Sequence, residues 1–102
     1  LPFDVPLSEL KSAIKGATAL GITGLNVTVP HKERILPFLH DVSEEASVIG
    51  AVNTIHNDNG TLRGYNTDVH GVNVSLEKYK EKLSDAEVTI IGAGGGARSV
   101  LY

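Results

Sequence analysis

AVNTIHNDNGTLRGY, residues 51–65, contains two short β-prone runs on either side of an Asn-Gly pair. Asn59-Gly60 is the dipeptide that most readily adopts the two positive φ angles of a tight hairpin turn. The pattern therefore predicts a β-hairpin whose strands cover residues 51–55 and 61–65.

The first part of the chain carries one strand signal and one helix signal. Residues 2–6 are typical of the end of a short strand. Apolar residues then recur at helical spacing over residues 7–20, with Ser8 as the N-cap and Gly21 just past the last turn. This second segment is predicted to be a helix.

A further strand and two short helices are expected before the hairpin. Residues 22–29 are uncharged and rich in β-branched side chains, which is typical of a buried strand, and Pro30 ends it by removing a hydrogen-bond donor. A short helix is expected from about His31. Ser43 is suited to cap another short helix that ends at Gly50.

The clearest helical pattern follows the hairpin. Apolar residues repeat at i+3 and i+4 over residues 69–83, with Thr67 or Asp68 as the cap. Residues 87–91 are predicted to be a short apolar strand that runs into a glycine-rich turn, after which another helix begins. This order of elements predicts an α/β fold with a mostly parallel sheet plus the β-hairpin.

The composition excludes several classes of protein. The 102 residues suffice for one small domain, and 41% hydrophobic with 21% charged residues exclude disorder and repetitive fibres. The absence of cysteine removes disulfides and thiolate metal sites and favours a reducing compartment such as the cytoplasm. A net charge of -3 without a basic cluster argues against nucleic acid, and no apolar stretch approaches the ~18 residues of a membrane span.

The glycine-rich turn has the pattern Gly92-x-Gly94-x-x-Ala97 between a predicted strand and a predicted helix, the context of a dinucleotide-binding fingerprint. Gly92 permits the tight turn, Gly94 lets backbone N–H groups approach a pyrophosphate, and Ala97 lets the helix pack near the strand. The alternative is a turn that is merely compact. The residue that selects NAD or NADP is expected about 20 residues further on, beyond Tyr102.

Polar side chains mark the end of the strand predicted over residues 22–29. Asn26 and Thr28 lie on one face because strand side chains alternate, and Lys32 follows just after the strand ends. Two hydrogen-bonding side chains on one face of an uncharged strand are unusual for a pure core. The alternative is that Asn26 and Thr28 bond to nearby backbone groups while Lys32 is solvated.

A second polar group comes from the hairpin and the helix after it. Asn53 lies in an otherwise apolar strand, and Asp68 lies at a strand-to-helix junction where a carboxylate could simply cap the helix. Several uncharged donors and acceptors with one Lys and one Asp suit a small polyhydroxylated ligand and proton transfer to its oxygen. No metal site is predicted, because the four histidines show no metal-ligand spacing.

Four motifs, NVTVPHK (26–32), GAVNT (50–54), GYNTD (64–68) and GAGGGAR (92–98), together resemble the shikimate dehydrogenase family in order and spacing. The resemblance implies a two-domain enzyme. Residues 1–84 correspond to a substrate-binding domain without its N-terminal part, and residues 85–102 to the truncated beginning of a Rossmann-type NADP-binding domain. Because the chain contains no methionine, we also expect it to be a segment of a longer or processed protein.

The resemblance also implies a site. Lys32 and Asp68 take the catalytic positions, where Asp68 pairs with Lys32, and Asn26, Thr28 and Asn53 join them in the substrate site. Gly96 stands where many members have alanine. The cofactor loop corresponds to Gly92, Ala93, Gly94, Gly95, Gly96 and Ala97.

The activity that the resemblance implies is the NADP-dependent, reversible reduction of 3-dehydroshikimate to shikimate, in chorismate and aromatic amino acid biosynthesis. Which of Lys32 and Asp68 donates the proton is left open, as is the oligomeric state, with a homodimer allowed. The alternatives are an NAD-dependent quinate/shikimate dehydrogenase and a non-catalytic ring-binding fragment or regulatory homologue. The isolated chain is expected to be inactive and not to bind NADP, because most of the cofactor-binding domain would follow Tyr102, and to bind substrate weakly, because the loop that holds the substrate carboxylate would precede Leu1.

Overall fold

A computed structural model describes all of the chain, Leu1–Tyr102. It contains five helices and four strands, with two short 3₁₀ turns at Leu7–Glu9 and Leu36–Phe38. The helices are α1 (Leu10–Ala19), α2 (Glu44–Ile49), α3 (Asp68–Glu77), α4 (Lys80–Leu83) and α5 (Gly95–Leu101). The strands are β1 (Gly24–Asn26), β2 (Asp41–Val42), β3 (Thr54–Asp58) and β4 (Thr61–Tyr65). The fold is α/β, as predicted.

The four strands form one mixed sheet in the order β1-β3-β4-β2. Strand β3 pairs antiparallel with both β1 and β4, and only β2 pairs parallel with β4. The expectation of a mostly parallel sheet is therefore wrong. The antiparallel hairpin of β3 and β4 lies at the centre of the sheet. The chain between β1 and β2 contains no α-helix, the element that usually connects two parallel neighbouring strands.

The predicted hairpin is confirmed. Asn59 and Gly60 have φ angles of 49° and 95°, the left-handed conformation that this turn requires. The side chain of Asn57 accepts a hydrogen bond from the Gly60 backbone N–H at 2.8 Å, which further fixes the turn. Strand β3 begins at Thr54, so residues 51–53 of the predicted first strand lie outside the regular ladder.

Apolar residues from α1, the sheet and the intervening loops form the core on one side of the sheet. Leu10 and Ile14 of α1 pack with Ile35, Val52 and Ile55, the last three of which are almost completely buried. This burial explains why the helical spacing of the first segment was a reliable signal. None of the helices has the length and apolar character needed to cross a membrane.

The capping residues predicted for two helices can be compared with the ends of α1 and α2. Ser43 caps α2 as predicted, since its hydroxyl accepts a hydrogen bond from the Ala46 backbone N–H, and Gly50 ends the helix with a φ of 69°. Ser8 does not cap α1, because it lies inside the 3₁₀ turn that precedes this helix. Gly21 does follow α1 in a left-handed conformation, with a φ of 71°.

Several predicted elements are shorter than expected or absent. Residues 2–6 and 87–91 are not strands, because neither segment pairs with another strand of the chain. The strand expected over residues 22–29 is limited to β1. The helix expected from His31 is a series of turns, and the one expected over residues 69–83 is divided into α3 and α4. The start of a Rossmann-type domain stays a prediction.

Candidate functional site

Lys32 is held by the turns that follow β1. Its backbone carbonyl accepts a hydrogen bond from the Val52 N–H at 2.8 Å, which joins these turns to the segment leading into β3. The neighbouring His31 ring has its Nε2 atom 2.7 Å from the carbonyl oxygen of Val5. The Lys32 backbone is therefore fixed from two sides, while its side chain stays 21% exposed.

Asp68 is the first residue of α3, and its carboxylate does not cap that helix. The side-chain oxygen of Asn66 accepts the hydrogen bond from the Asp68 backbone N–H at 3.0 Å, and its amide donates to the Ala51 carbonyl at 3.0 Å. Thr67 lies at the N-cap position, as predicted, but its side chain makes no capping hydrogen bond, and Asn66 supplies that bond instead. An Asn two residues before a helix start forms this kind of turn well, and its position in the sequence was the available signal.

Because Asn66 takes the capping role, the Asp68 carboxylate is available to other side chains. Lys32 Nζ lies 2.6 Å from Asp68 Oδ2, and Asn53 Nδ2 donates to Asp68 Oδ1 at 2.8 Å. The Asn53 oxygen in turn accepts hydrogen bonds from the Thr54 hydroxyl at 2.9 Å and the Thr67 backbone N–H at 3.0 Å. These bonds orient the Asn53 amide so that its NH₂ group faces Asp68. We call Lys32, Asn53 and Asp68 the triad.

The triad holds Asp68 in its ionised form. The hydrogen bond from Lys32 lowers the pKa of the Asp68 carboxyl below its ordinary value of 3.8, and the bond from Asn53 and the Lys32 charge act in the same direction. Partial burial of the carboxyl opposes them. The net direction is downward, so the Asp68 side chain is a carboxylate at neutral pH.

We expect Lys32→Met to raise the pKa of Asp68. The change removes the hydrogen bond and the positive charge that lower this pKa, while burial still acts to raise it. The midpoint can be followed through the carboxyl ¹³C shift of Asp68 during a pH titration, with Lys15→Met, an exposed position of α1, as the control. An unchanged midpoint in Lys32→Met would contradict the assigned contact.

The same shift makes the stability of the fold depend on acid. The folded-state pKa of Asp68 lies below the ordinary value of 3.8, so its contribution to the free energy of unfolding is complete above that value. This contribution is lost as the pH falls through the lower, folded-state pKa. In Lys32→Met, the part of the free energy of unfolding that depends on the ionisation of Asp68 should be smaller.

Asn26 and Thr28 lie apart from the triad's hydrogen bonds. Both residues are exposed, and neither side chain makes a hydrogen bond within the chain. The register of β1 and β3 pairs Asn26 with Thr54, the residue next to Asn53. The structure thus brings three of the five predicted substrate-site residues into contact and leaves the other two open to solvent, at the end of β1 and just after it.

The predicted cofactor loop forms a turn in which two glycines have no neighbouring atoms on their outer side. Gly92 has a φ of 125°, and Gly94 is the extended residue before α5. A Cβ atom on Gly94 or Gly96 would meet nothing within 4 Å, so backbone groups are open to a large ligand there. This open backbone at a helix start fits a pyrophosphate group. Gly95 is different, because it is buried and its Cβ would lie 2.7 Å from that of Ala51.

An open surface depression of about 590 Å³ lies between α3 and α5. Asp68, Gly71 and Val72 line it on one side and Gly96 on the other. One residue of the triad and one glycine of the turn therefore border the same open surface.

Comparison with known proteins adds a family. Residues 1–55 match the family described as the shikimate dehydrogenase substrate binding domain. The chain belongs to the shikimate dehydrogenase family. The resemblance inferred from the four motifs is thereby confirmed, and the matched residues include Lys32 and Asn53 of the triad.

The proteins that are similar to this chain are considerably longer. The shikimate dehydrogenase (NADP(+)) of Caldanaerobacter subterraneus is 50% identical over 100 residues, which are 98% of this chain and 36% of that protein. A shikimate 5-dehydrogenase from Thermus thermophilus in complex with shikimate has a TM-score of 0.84 and 39% identity over 96% of this chain and 37% of its own.

A third similar protein has another activity in its name. The 5-ketofructose reductase of Gluconobacter sp. strain CHM43, in its ligand-free form, has a TM-score of 0.81 and 42% identity, covering 96% of this chain and 35% of its own. The chain thus spans slightly more than a third of the length of these relatives, at 35% to 37%.

Proposed function

We propose that this chain is the part of an NADP-dependent shikimate dehydrogenase that binds the ring substrate and supplies the proton-transfer groups. The reaction is the reversible reduction of 3-dehydroshikimate to shikimate, a step in the formation of chorismate and aromatic amino acids. The observation that carries the proposal is the 2.6 Å contact between Lys32 and Asp68, oriented by Asn53. The 50% identity to a relative of this name supports the choice of substrate and cofactor.

The proposed domain division follows the same reasoning. Residues 1–84 belong to the substrate-binding domain, and residues 85–102 begin the NADP-binding domain. The cofactor contacts assigned to this chain are made by the backbone of the glycine turn, at Gly92, Ala93, Gly94, Gly95, Gly96 and Ala97. When bound, the reduced nicotinamide supplies a hydride to the ring carbonyl carbon.

Lys32 and Asp68 have different roles in the proton transfer. The lowered pKa of Asp68 leaves its carboxylate without a proton at neutral pH, so the proton comes from the Lys32 ammonium. The carbonyl oxygen accepts a hydrogen bond from this ammonium, which stabilises the developing alkoxide. The O–H bond then forms as the N–H bond breaks, and the partly exposed Lys32 regains a proton from solvent.

The remaining predicted residues bind the ring. Asn53 and Asp68 face each other, and the carboxylate oxygen that accepts from Asn53 can also accept from a ring hydroxyl. Asn26, at the end of β1, and Thr28, just after it, are exposed with unused hydrogen-bonding groups, which suits the other hydroxyls. Each donor or acceptor left unpaired by a wrong ligand would lower its affinity.

Two alternatives share much of this geometry. An NAD-dependent quinate/shikimate dehydrogenase would use the same triad, and so would a reductase of another polyhydroxylated ketone, as the similarity to the 5-ketofructose reductase indicates. A regulatory protein that binds the ring without turnover would need the binding side chains but not the Lys32–Asp68 pair. The presence of that pair favours an enzyme.

The test is a steady-state assay of the complete gene product that contains this chain. Shikimate, quinate and 5-ketofructose are compared as substrates, each with NADP(H) and NAD(H). We expect kcat/KM to be highest for shikimate with NADP by about tenfold or more, a difference that a single missing hydrogen bond can produce. Preference for another pair identifies one of the alternative enzymes, and shikimate binding without turnover identifies the regulatory protein.

A further inference from the structure

Helix α5 packs on the segments that carry the triad through one face. Gly95, Arg98 and Ser99 are three and four residues apart, so they lie on the same side of the helix. Gly95 and Ser99 are buried, and a side chain on Gly95 would collide with Ala51. The helix that begins at the glycine turn is thereby brought close to the start of β3.

Arg98 links this face to the lysine of the triad. Its Nη2 atom lies 2.5 Å from Glu33 Oε1, and Glu33 directly follows Lys32. Its Nη1 atom lies 3.0 Å from the position that a Cβ on Gly50 would take, so the guanidinium rests against the end of α2. The Glu33–Arg98 ion pair thus joins the turns that carry Lys32 to α5, and the Arg98 guanidinium also packs against the end of α2.

Ser99 links the same face to the aspartate of the triad. Its hydroxyl donates to the Gly95 carbonyl at 2.8 Å and lies 3.5 Å from the side-chain oxygen of Asn66. That oxygen accepts the hydrogen bond from the Asp68 backbone N–H. Because the hydroxyl proton is used for the Gly95 carbonyl, Ser99 is a buried packing neighbour of the Asn66 oxygen, and a bulkier side chain at Ser99 would displace that oxygen and, through it, Asp68.

We propose that Glu33, Arg98 and Ser99 are positioning residues for the shikimate dehydrogenase reaction. Through them α5 holds both charged members of the triad at a fixed place relative to the glycine turn. This inference rests on the proposed function, in which the glycine turn and the triad hold the two reactants. Hydride transfer needs the reacting atoms about 3–3.5 Å apart, so a small displacement of either group lowers the rate.

The expected effect is on rate rather than on folding. Arg98 and Glu33 have side chains that are 36% and 52% exposed, and ion pairs this exposed contribute little to stability. Glu33→Gln and Arg98→Met should therefore keep the thermal unfolding midpoint of the complete protein. Both should lower kcat about tenfold or more, with a smaller change in KM for shikimate, because misplacement acts mainly on the transition state.

A matched control is available at the other edge of the sheet. Arg63 and Asp41 form an ion pair of 2.9 Å between β4 and β2, with side chains 54% and 55% exposed. Arg63→Met should leave kcat unchanged, because this pair has no contact with the triad. Ser99→Val tests the second link, because its added methyl group crowds the Asn66 oxygen, and it should lower kcat in the same direction as Arg98→Met.

A titration of Asp68 separates positioning from a direct charge effect, and it does not depend on activity. Removing the negative charge of Glu33 should by itself lower the pKa of Asp68, whereas loosening the Lys32–Asp68 contact should raise it. We expect the carboxyl ¹³C midpoint of Asp68 to rise in Glu33→Gln. A midpoint that falls or stays unchanged, or variants with wild-type kcat, would overturn the proposal.

The outcome is distinguishable from failure of the proposed function. If the wild-type protein has no dehydrogenase activity, the proposed function fails while the Asp68 titration still reports on positioning. If the wild-type protein is active and both Arg98→Met and Glu33→Gln are as fast, only the positioning role fails.

Discussion

Lys32→Met in the complete gene product is expected to lower kcat for shikimate oxidation by about 10²-fold or more, the usual scale for a general acid or base. The KM for shikimate should change much less, because the ammonium gains most of its interaction energy as charge develops on the oxygen. Methionine matches the length of the aliphatic part of the lysine side chain and removes the ammonium group. Initial-rate kinetics over a range of shikimate concentrations measure both constants.

The control for this variant is Lys15→Met, which removes a lysine from the exposed face of α1. It should keep the wild-type kcat. If Lys32→Met also keeps the wild-type kcat, Lys32 is a structural partner of Asp68 and has no part in the chemistry.

Asp68→Asn is expected to lower turnover by about 10²-fold or more, with an unfolding midpoint close to that of the wild type. The amide cannot balance the Lys32 charge, and its NH₂ group would face another donor. Stability should change little because the ion pair is partly exposed and Asn66, not Asp68, provides the cap of α3. Turnover and thermal unfolding are measured on the same preparation.

Asn66→Ala gives the matched comparison for stability. It removes the capping oxygen and the bond to the Ala51 carbonyl, so the free energy of unfolding should fall by about 1 kcal/mol or more. Asp68→Asn should instead keep the free energy of unfolding of the wild type and lose turnover. An Asp68→Asn variant that unfolds early but retains turnover would assign the carboxylate a structural role only.

Local signals in the sequence predicted the parts of the fold that depend on neighbouring residues. The turn at Asn59-Gly60 and the helix between Ser43 and Gly50 each need only a few consecutive residues to specify them. The direction of strand pairing does not have this property. Strand β1 pairs with β3 across a long stretch of intervening chain, and β2 is only two residues long, so neither pairing has a local pattern.

In the candidate site, too, local sequence patterns predicted some features and not others. Lys32 and Asp68 could be singled out from motifs, and the family resemblance implied that they pair, but the residue pattern alone could not predict this contact because it depends on how the turns after β1 and the start of α3 meet. The alternative that Asp68 merely caps a helix was settled by the orientation of Asn66, two residues away. The Glu33–Arg98 ion pair had no signal at all, since its members lie on segments that meet only in the folded chain.

The Lys32–Asp68 contact joins residues 36 positions apart, whereas the central hairpin closes over a two-residue turn. Longer loops cost more chain entropy to close, and a hairpin forms in about 1–10 μs. We therefore expect the hairpin to be in place early during refolding. The charged pair comes together only when the turns after β1, the start of β3 and the first turn of α3 have met. Recovery of this contact is accordingly a late kinetic event, which reports the completion of folding rather than the initial collapse.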